Sequence, residues 1–239
     1  MFDPKKFTTQ KAKPLPVILL LDVSYSMSGE KITSLNHAVK EMISSFSQEE
    51  KMEIEILVSV ITFGGNVDLY IPYTNASEVE WQNMTVSGMT PMGGALKMAK
   101  AMIEDTETTP SRAYRPTVIL VSDGQPNDDW EKPLRDFISE GRSSKCDRMA
   151  MAIGHDADET VLKMFLEGTE NQLFYAENAS QLHEFFKFVT MSVTMRSRSV
   201  NPNVVPKVSE VELDGKTVYP TPIDKKSKSK PNDDTAGYW

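Results

Sequence analysis

The sequence predicts an α/β fold, a mostly parallel sheet with helices on both faces. Three observations carry this. Continuous aliphatic runs such as "PVILLLD" and "RPTVILVSDG" lack the alternation of a half-exposed strand and suit strands buried on both faces. Segments with apolar residues at helical spacing separate those runs. The two kinds of segment alternate along most of the chain, as a parallel sheet with crossover helices requires.

In chain order, "PVILLLD" is the first strand. "EKITSLNHAVKEMISSFSQ" follows, with Ile32, Leu35, Val39, Met42, Ile43 and Phe46 on one face of a helix. "EIEILVSVITFGG" is the second strand, and "VDLYIPYT" beyond a Gly-Gly-Asn turn is its hairpin partner, an antiparallel edge strand. "SEVEWQNMTVSGMTP" reads as loop with a helical turn near Glu78 to Trp81. "MGGALKMAKAMIEDTE" is a helix, "RPTVILVSDG" a buried strand, and "DDWEKPLRDFISEGRSS" a helix with Pro133 in its first turn. "DRMAMAIG" is a strand, "DADETVLKMFLEG" a helix and "NQLFYAEN" a short strand. "SQLHEFFKFVTMSVTMRS" closes the domain as a long helix.

This divides the chain into an N-terminal arm (1–13), one domain (14–199) and a C-terminal tail (200–239). The tail is rich in proline and lysine and reads as disordered, apart from a small hairpin at 208–220 around Asp214-Gly215. No internal repeat is present.

The 239 residues suffice for one α/β domain with a full core, and 39% hydrophobic with 25% charged residues is ordinary for a globular protein. A net charge of -8 argues against binding nucleic acid by bulk electrostatics. The one cysteine, Cys146, excludes an internal disulfide and suits a reducing compartment. No apolar signal region opens the sequence, and the longest apolar run is too short to span a membrane. The expected location is the cytoplasm, with neither membrane nor nucleic acid as partner.

In an open parallel sheet, ligands bind at the carboxyl ends of the strands. Asp22 and Asp123 each follow a buried strand and belong on that rim. Thr90, just before a helix, can reach it too. With Ser24 and Ser26 they make a candidate metal site of Asp22, Ser24, Ser26, Thr90 and Asp123. All five are hard oxygen donors, with no sulfur or imidazole among them. Such a set suits Mg²⁺, and equally Mn²⁺. Neutral hydroxyls leave the metal much of its charge, so its natural last ligand is a carboxylate supplied by another protein.

Asp22-Val23-Ser24-Tyr25-Ser26 resembles the D-x-S-x-S motif of von Willebrand factor A (VWA) domains. Thr90-Pro91-Met92-Gly93-Gly94-Ala95-Leu96 is similar to that family's isolated threonine and the helix after it. Ser122-Asp123-Gly124 matches its second aspartate, and "MAIG" its following strand. The resemblance covers roughly residues 14 to 195, and its strength lies in five positions in order on the expected elements. It implies a three-layer, Rossmann-like six-stranded sheet in the order 3-2-1-4-5-6, with one antiparallel edge strand. It also implies a metal-ion-dependent adhesion site (MIDAS). Ser24, Ser26 and Thr90 would hold the metal directly or nearly so, with Asp22 and Asp123 often acting through water. Met89 departs from the pattern, since many relatives carry a second glycine there. The likeness is greatest to the bacterial, cytoplasmic TerY-like group. That implies a tellurite-resistance, stress-response or phage-defence system with kinase- or phosphatase-like partners.

Other readings compete. A helix N-cap explains one serine, and Ser28 belongs to the helix start on that account. It explains neither the repeated serine spacing nor Thr90 and Asp123. A haloacid-dehalogenase-like phosphatase using Asp22 also begins with an aspartate after the first strand. It needs a second carboxylate two residues on as general acid and base, and that position is Ser24. The expectation is therefore a binding module and not an enzyme. Met84, Met89 and Met92 are core residues or an adaptable rim around the metal. Asp128 and Asp129 read as solvated charges at a helix start. His37 and His183 read as helix residues, and His155 falls near the rim. Asp22→Ala is expected to leave folding almost intact, because the rim contributes little core. A tail carboxylate such as Glu210, Glu212, Asp233 or Asp234 is a further candidate to enter the metal site.

Overall fold

The aliphatic run before Asp22 forms the centre of the sheet. In the computed structural model, which describes residues 12–49, 54–206, 212–213 and 216–217, it is β1 (Lys13–Asp22). From Pro14 to Asp22 every residue of β1 is buried. Side chains alternate across a strand, so Leu15, Val17, Leu19 and Leu21 enter one core and Ile18 and Leu20 the other. This is why the run shows no polar alternation. Pro16 stands outside the ladder with β4, which pairs only from Val17 onward.

The remaining elements are α1 (Glu30–Glu49), β2 (Ile54–Gly64), β3 (Asn66–Asn75), α2 (Met92–Glu104), β4 (Thr117–Ser122), α3 (Glu131–Ser139), β5 (Asp147–Ile153), α4 (Glu159–Leu166), β6 (Phe174–Ala176) and α5 (Ala179–Arg198). The sheet order is β3-β2-β1-β4-β5-β6. All neighbours are parallel except β2 and β3, which form the antiparallel pair the Gly-Gly-Asn turn predicted. The fold class and strand order are those expected from the sequence.

Two cores sandwich the sheet. Leu35, Val39, Met42 and Phe46 of α1 pack with Phe185, Phe188, Val189 and Val193 of α5 on one face. Leu96 and Ile103 of α2, Leu134 and Phe137 of α3 and Phe165 of α4 cover the other. Among the described residues no helix is long and apolar enough to cross a membrane.

The end of the sheet away from Asp22 and Asp123 is fastened by a buried arginine. Arg196, in the last turn of α5, donates Nη1 to Thr117 Oγ1 at 2.5 Å and Nη2 to the Arg115 carbonyl at 2.5 Å. Its Nε donates to the Pro202 carbonyl at 2.8 Å. Burial brings its guanidinium pKa down to about 10, and the Asp147 charge opposes that shift. Nearby, the Tyr114 amide donates to the Pro14 carbonyl at 2.9 Å. The start of β1 and the end of α5 therefore lie together at this pole. Later in the chain, β7 (Glu212–Leu213) and β8 (Lys216–Thr217) form an antiparallel pair. Residues 1–11 of the arm, the Asp214-Gly215 turn and the acidic residues Glu210, Asp233 and Asp234 lie outside the described residues, and Lys13 already belongs to β1.

Candidate metal centre

Two adjacent strand ends deliver the carboxylates. β1 and β4 run parallel with Leu21 opposite Val121, so Asp22 comes level with Ser122 and Asp123 follows one residue further on at the same carboxyl edge. Both are completely buried. Buried carboxylates need donors, and each oxygen has one. Asp22 Oδ1 accepts the Ser24 amide at 2.8 Å, and Oδ2 accepts the Ser122 hydroxyl at 2.6 Å. Asp123 Oδ1 accepts the Ser26 hydroxyl at 2.6 Å, and Oδ2 accepts Lys31 Nζ at 2.5 Å. The Ser24 and Ser26 hydroxyls are 2.9 Å apart.

Thr90 comes from a loop bolted to the same rim by backbone bonds. The Ser87 amide donates to the Val23 carbonyl at 2.7 Å, the Tyr25 amide to the Gly88 carbonyl at 3.0 Å, and the Gly65 amide to the Met89 carbonyl at 2.8 Å. Glycines make this approach possible. A Cβ on Gly64 would meet the Val23 and Ser87 carbonyl oxygens at 2.6 Å. Gly88, at φ +59°, lies against Gly65 so closely that a Cβ would collide with the Gly65 Cα. Met89 needs no second glycine, because it contributes its carbonyl and turns its side chain to solvent.

The site thus brings all five sequence-predicted residues to one rim. A Cβ on Gly124 would stand 3.4 Å from Thr90 Oγ1 and 3.7 Å from Ser26 Oγ, so the glycine leaves the space beside these hydroxyls open. Burial pushes the Asp22 carboxyl up from its ordinary value. The bonds from Ser122 and Ser24 oppose this, and the charge of Asp123 adds to it. The Lys31 ammonium meets Asp123 alone, and Asp22 has only neutral donors around it. Among the described residues no group of three His, Cys, Asp or Glu could hold a metal, so a cation site here must use hydroxyls. The donor set fits a hard divalent cation.

Several other readings change. Ser28 stays out of the site as expected, but its hydroxyl donates to the Tyr25 carbonyl at 2.6 Å and closes the turn before α1. Met84 and Met92 are buried, so of the three methionines only Met89, 63% exposed, stands at the rim. Asp128 is no idle charge at its own helix. It accepts the Gly93 and Gly94 amides at 2.9 and 2.8 Å and so caps α2 from a neighbouring loop. His155 is exposed beside Glu177 at 3.6 Å. Asp22, with no exposed surface and two bonded donors, is part of the interior and not a dispensable rim residue. Sequence reasoning missed Lys31, whose signal was its place in the first turn of the helix that follows the serines.

The sequence model described as the von Willebrand factor type A domain matches residues 17–188. The chain belongs to this family. Solved structures share the fold of this VWA domain at low identity. A von Willebrand factor type A protein from Catenulispora acidiphila is 19% identical with a TM-score of 0.59, over 77% of this chain and 43% of that one. The pilus adhesin SpaC from Lactobacillus rhamnosus GG is 14% identical with a TM-score of 0.61, over 76% and 30%. Proximal thread matrix protein 1 from the mussel byssus, solved with a zinc-occupied MIDAS, is 16% identical with a TM-score of 0.58, over 80% and 47%. In each case the match spans less than half of the solved chain. No curated protein sequence matches.

Proposed function

We propose that this VWA domain is a metal-dependent protein-interaction module that takes a carboxylate from its partner as the last ligand of a bound Mg²⁺ or Mn²⁺. The observation that carries this is the gathering of Ser24, Ser26 and Thr90 beside two fully buried carboxylates on one rim. The three hydroxyls would hold the cation, and Asp22 and Asp123 would balance its charge. When bound, the cation supplies a Lewis-acidic position for an incoming oxygen. The chain itself orients the donors. Asp22 fixes the turn through the Ser24 amide, and Ser26 is held by Asp123. Tyr25 and Met89, 67% and 63% exposed, flank the donors in sequence and offer apolar contact to residues beside the partner's carboxylate.

Binding, not catalysis, is the role this geometry supports. Both Asp22 oxygens accept hydrogen bonds and neither is exposed, which disfavours the haloacid-dehalogenase-like alternative with Asp22 as nucleophile. Placement in a cytoplasmic TerY-like system, with kinase- or phosphatase-like partners, rests on the motif resemblance, and neighbouring genes of those kinds are its test. The test of the function itself is capture of cellular protein on the immobilised chain, in Mg²⁺ and in EDTA, with Thr90→Ala beside it. Retention should need Mg²⁺ and Thr90. Retention unchanged by both would sink the mechanism. Turnover of a phosphate ester, lost in Asp22→Asn, would revive the phosphatase.

A further inference from the structure

Lys31 lies in the first turn of α1, and its ammonium is 2.5 Å from Asp123 Oδ2. The lysine side chain is 35% exposed while Asp123 is fully buried, so the ammonium reaches in from the solvent edge. Its stem passes Gly154, where even a Cβ would make only ordinary contact, 3.7 Å from Nζ and 3.8 Å from Cε. The other oxygen of Asp123 holds Ser26, one of the hydroxyls offered to a metal. One carboxylate therefore serves both the cation site and a fixed monocation on the same chain.

A divalent ion beside Ser26 would share Asp123 with that ammonium. Like charges sharing one fully buried carboxylate would repel more than on an open surface. The flexible four-carbon stem lets the ammonium withdraw, but withdrawal gives up its bond to a buried carboxylate. We propose that Lys31 is a tethered counter-cation that competes with the divalent metal for Asp123 and so sets the metal affinity of the site. This rests on the metal-binding reading above.

Calorimetric titration of the full chain with Mg²⁺ and with Mn²⁺ tests it, comparing wild type with Lys31→Met and Lys31→Arg. Thermal melting in EDTA is the second readout. Lys31→Met should bind metal at least tenfold more tightly, yet melt at a lower temperature in EDTA because Asp123 has lost its partner. Lys31→Arg should stay within threefold of wild type. If Lys31→Met fails to fold, Lys31→Gln takes its place. Metal binding by wild type with Lys31→Met within threefold of it, or weaker, overturns the proposal and spares the metal reading. Equal tightening by Arg and Met also overturns it, since charge would not be the cause. If wild type and the neutral variant are both folded and neither binds metal, the metal reading fails and this proposal with it.

Discussion

Replacing Asp22 with alanine should destabilise the protein by about 2–4 kcal/mol, whereas asparagine should cost under about 1 kcal/mol. The carboxylate is fully buried and accepts two donors, the Ser24 amide at 2.8 Å and the Ser122 hydroxyl at 2.6 Å. A buried donor left without an acceptor costs about 1–3 kcal/mol. The amide is fixed by the backbone and takes the larger share. The hydroxyl can rotate and takes less. Removing the charge works the other way, because burial already disfavours the ionised form of Asp22. That relief offsets part of the loss but repairs neither bond. Asparagine keeps an oxygen for the Ser24 amide and turns its NH₂ towards Ser122 Oγ, which can accept. For a protein of this size each kcal/mol shifts the melting temperature by roughly 2–4 °C, so alanine should lower it by roughly 5–15 °C. Urea unfolding in EDTA, followed by circular dichroism, measures the difference. Alanine within about 0.5 kcal/mol of wild type, or asparagine as damaging as alanine, would refute this account of the turn. Asparagine should also abolish the rise in melting temperature on adding Mg²⁺, since one of two balancing carboxylates is gone.

Gly88→Ala should cost about 3 kcal/mol or more and weaken metal binding, because a Cβ at this position, two residues before Thr90, would collide with Gly65. Urea unfolding and metal titration check the two halves. Asp128→Ala should cost about 1–2 kcal/mol in urea unfolding, as α2 loses the acceptor of its Gly93 and Gly94 amides. Burial pushes the Cys146 thiol up to about 12, with the side chain only 4% exposed. It should react with a thiol reagent at pH 8 only when the chain unfolds. The folded value lies above the unfolded one of about 8.5, so this group's contribution is intact below that pH and is lost as pH rises towards the folded value. Cys146→Ala should flatten the alkaline fall in melting temperature.

The elements were legible where one physical signal dominated. β1 and β4 are buried on both faces and announce it by unbroken aliphatic runs, and each ends at the carboxylate the rim needs. The five donors could be grouped because topology alone carries them to one edge. The contacts among them were not legible. Whether Asp123 meets Ser26, Lys31 or both depends on side-chain reach across 97 and 92 residues of separation. A lone lysine opening an amphipathic helix looks like any solvated charge. Asp128 was misread for a related reason, since its helix partner is α2 and not the helix it precedes. A strand-end carboxylate looks exposed in sequence, while Asp22 is fully buried and bonded to the turn that follows it, which is why its removal is expected to cost stability.

The arginine-fastened pole has a mechanical consequence. β1 enters at that pole and runs straight to the rim, about 30 Å away at strand spacing. A partner tugging on the rim while the chain before Lys13 is held would load β1 along its length. The load falls in shear across two parallel ladders, ten residues long with β2 and five with β4. All the bonds of a sheared ladder resist together, whereas a peeled edge gives way one bond at a time. Pulled in that direction, the two ladders would resist as a taut cord and not as a zip.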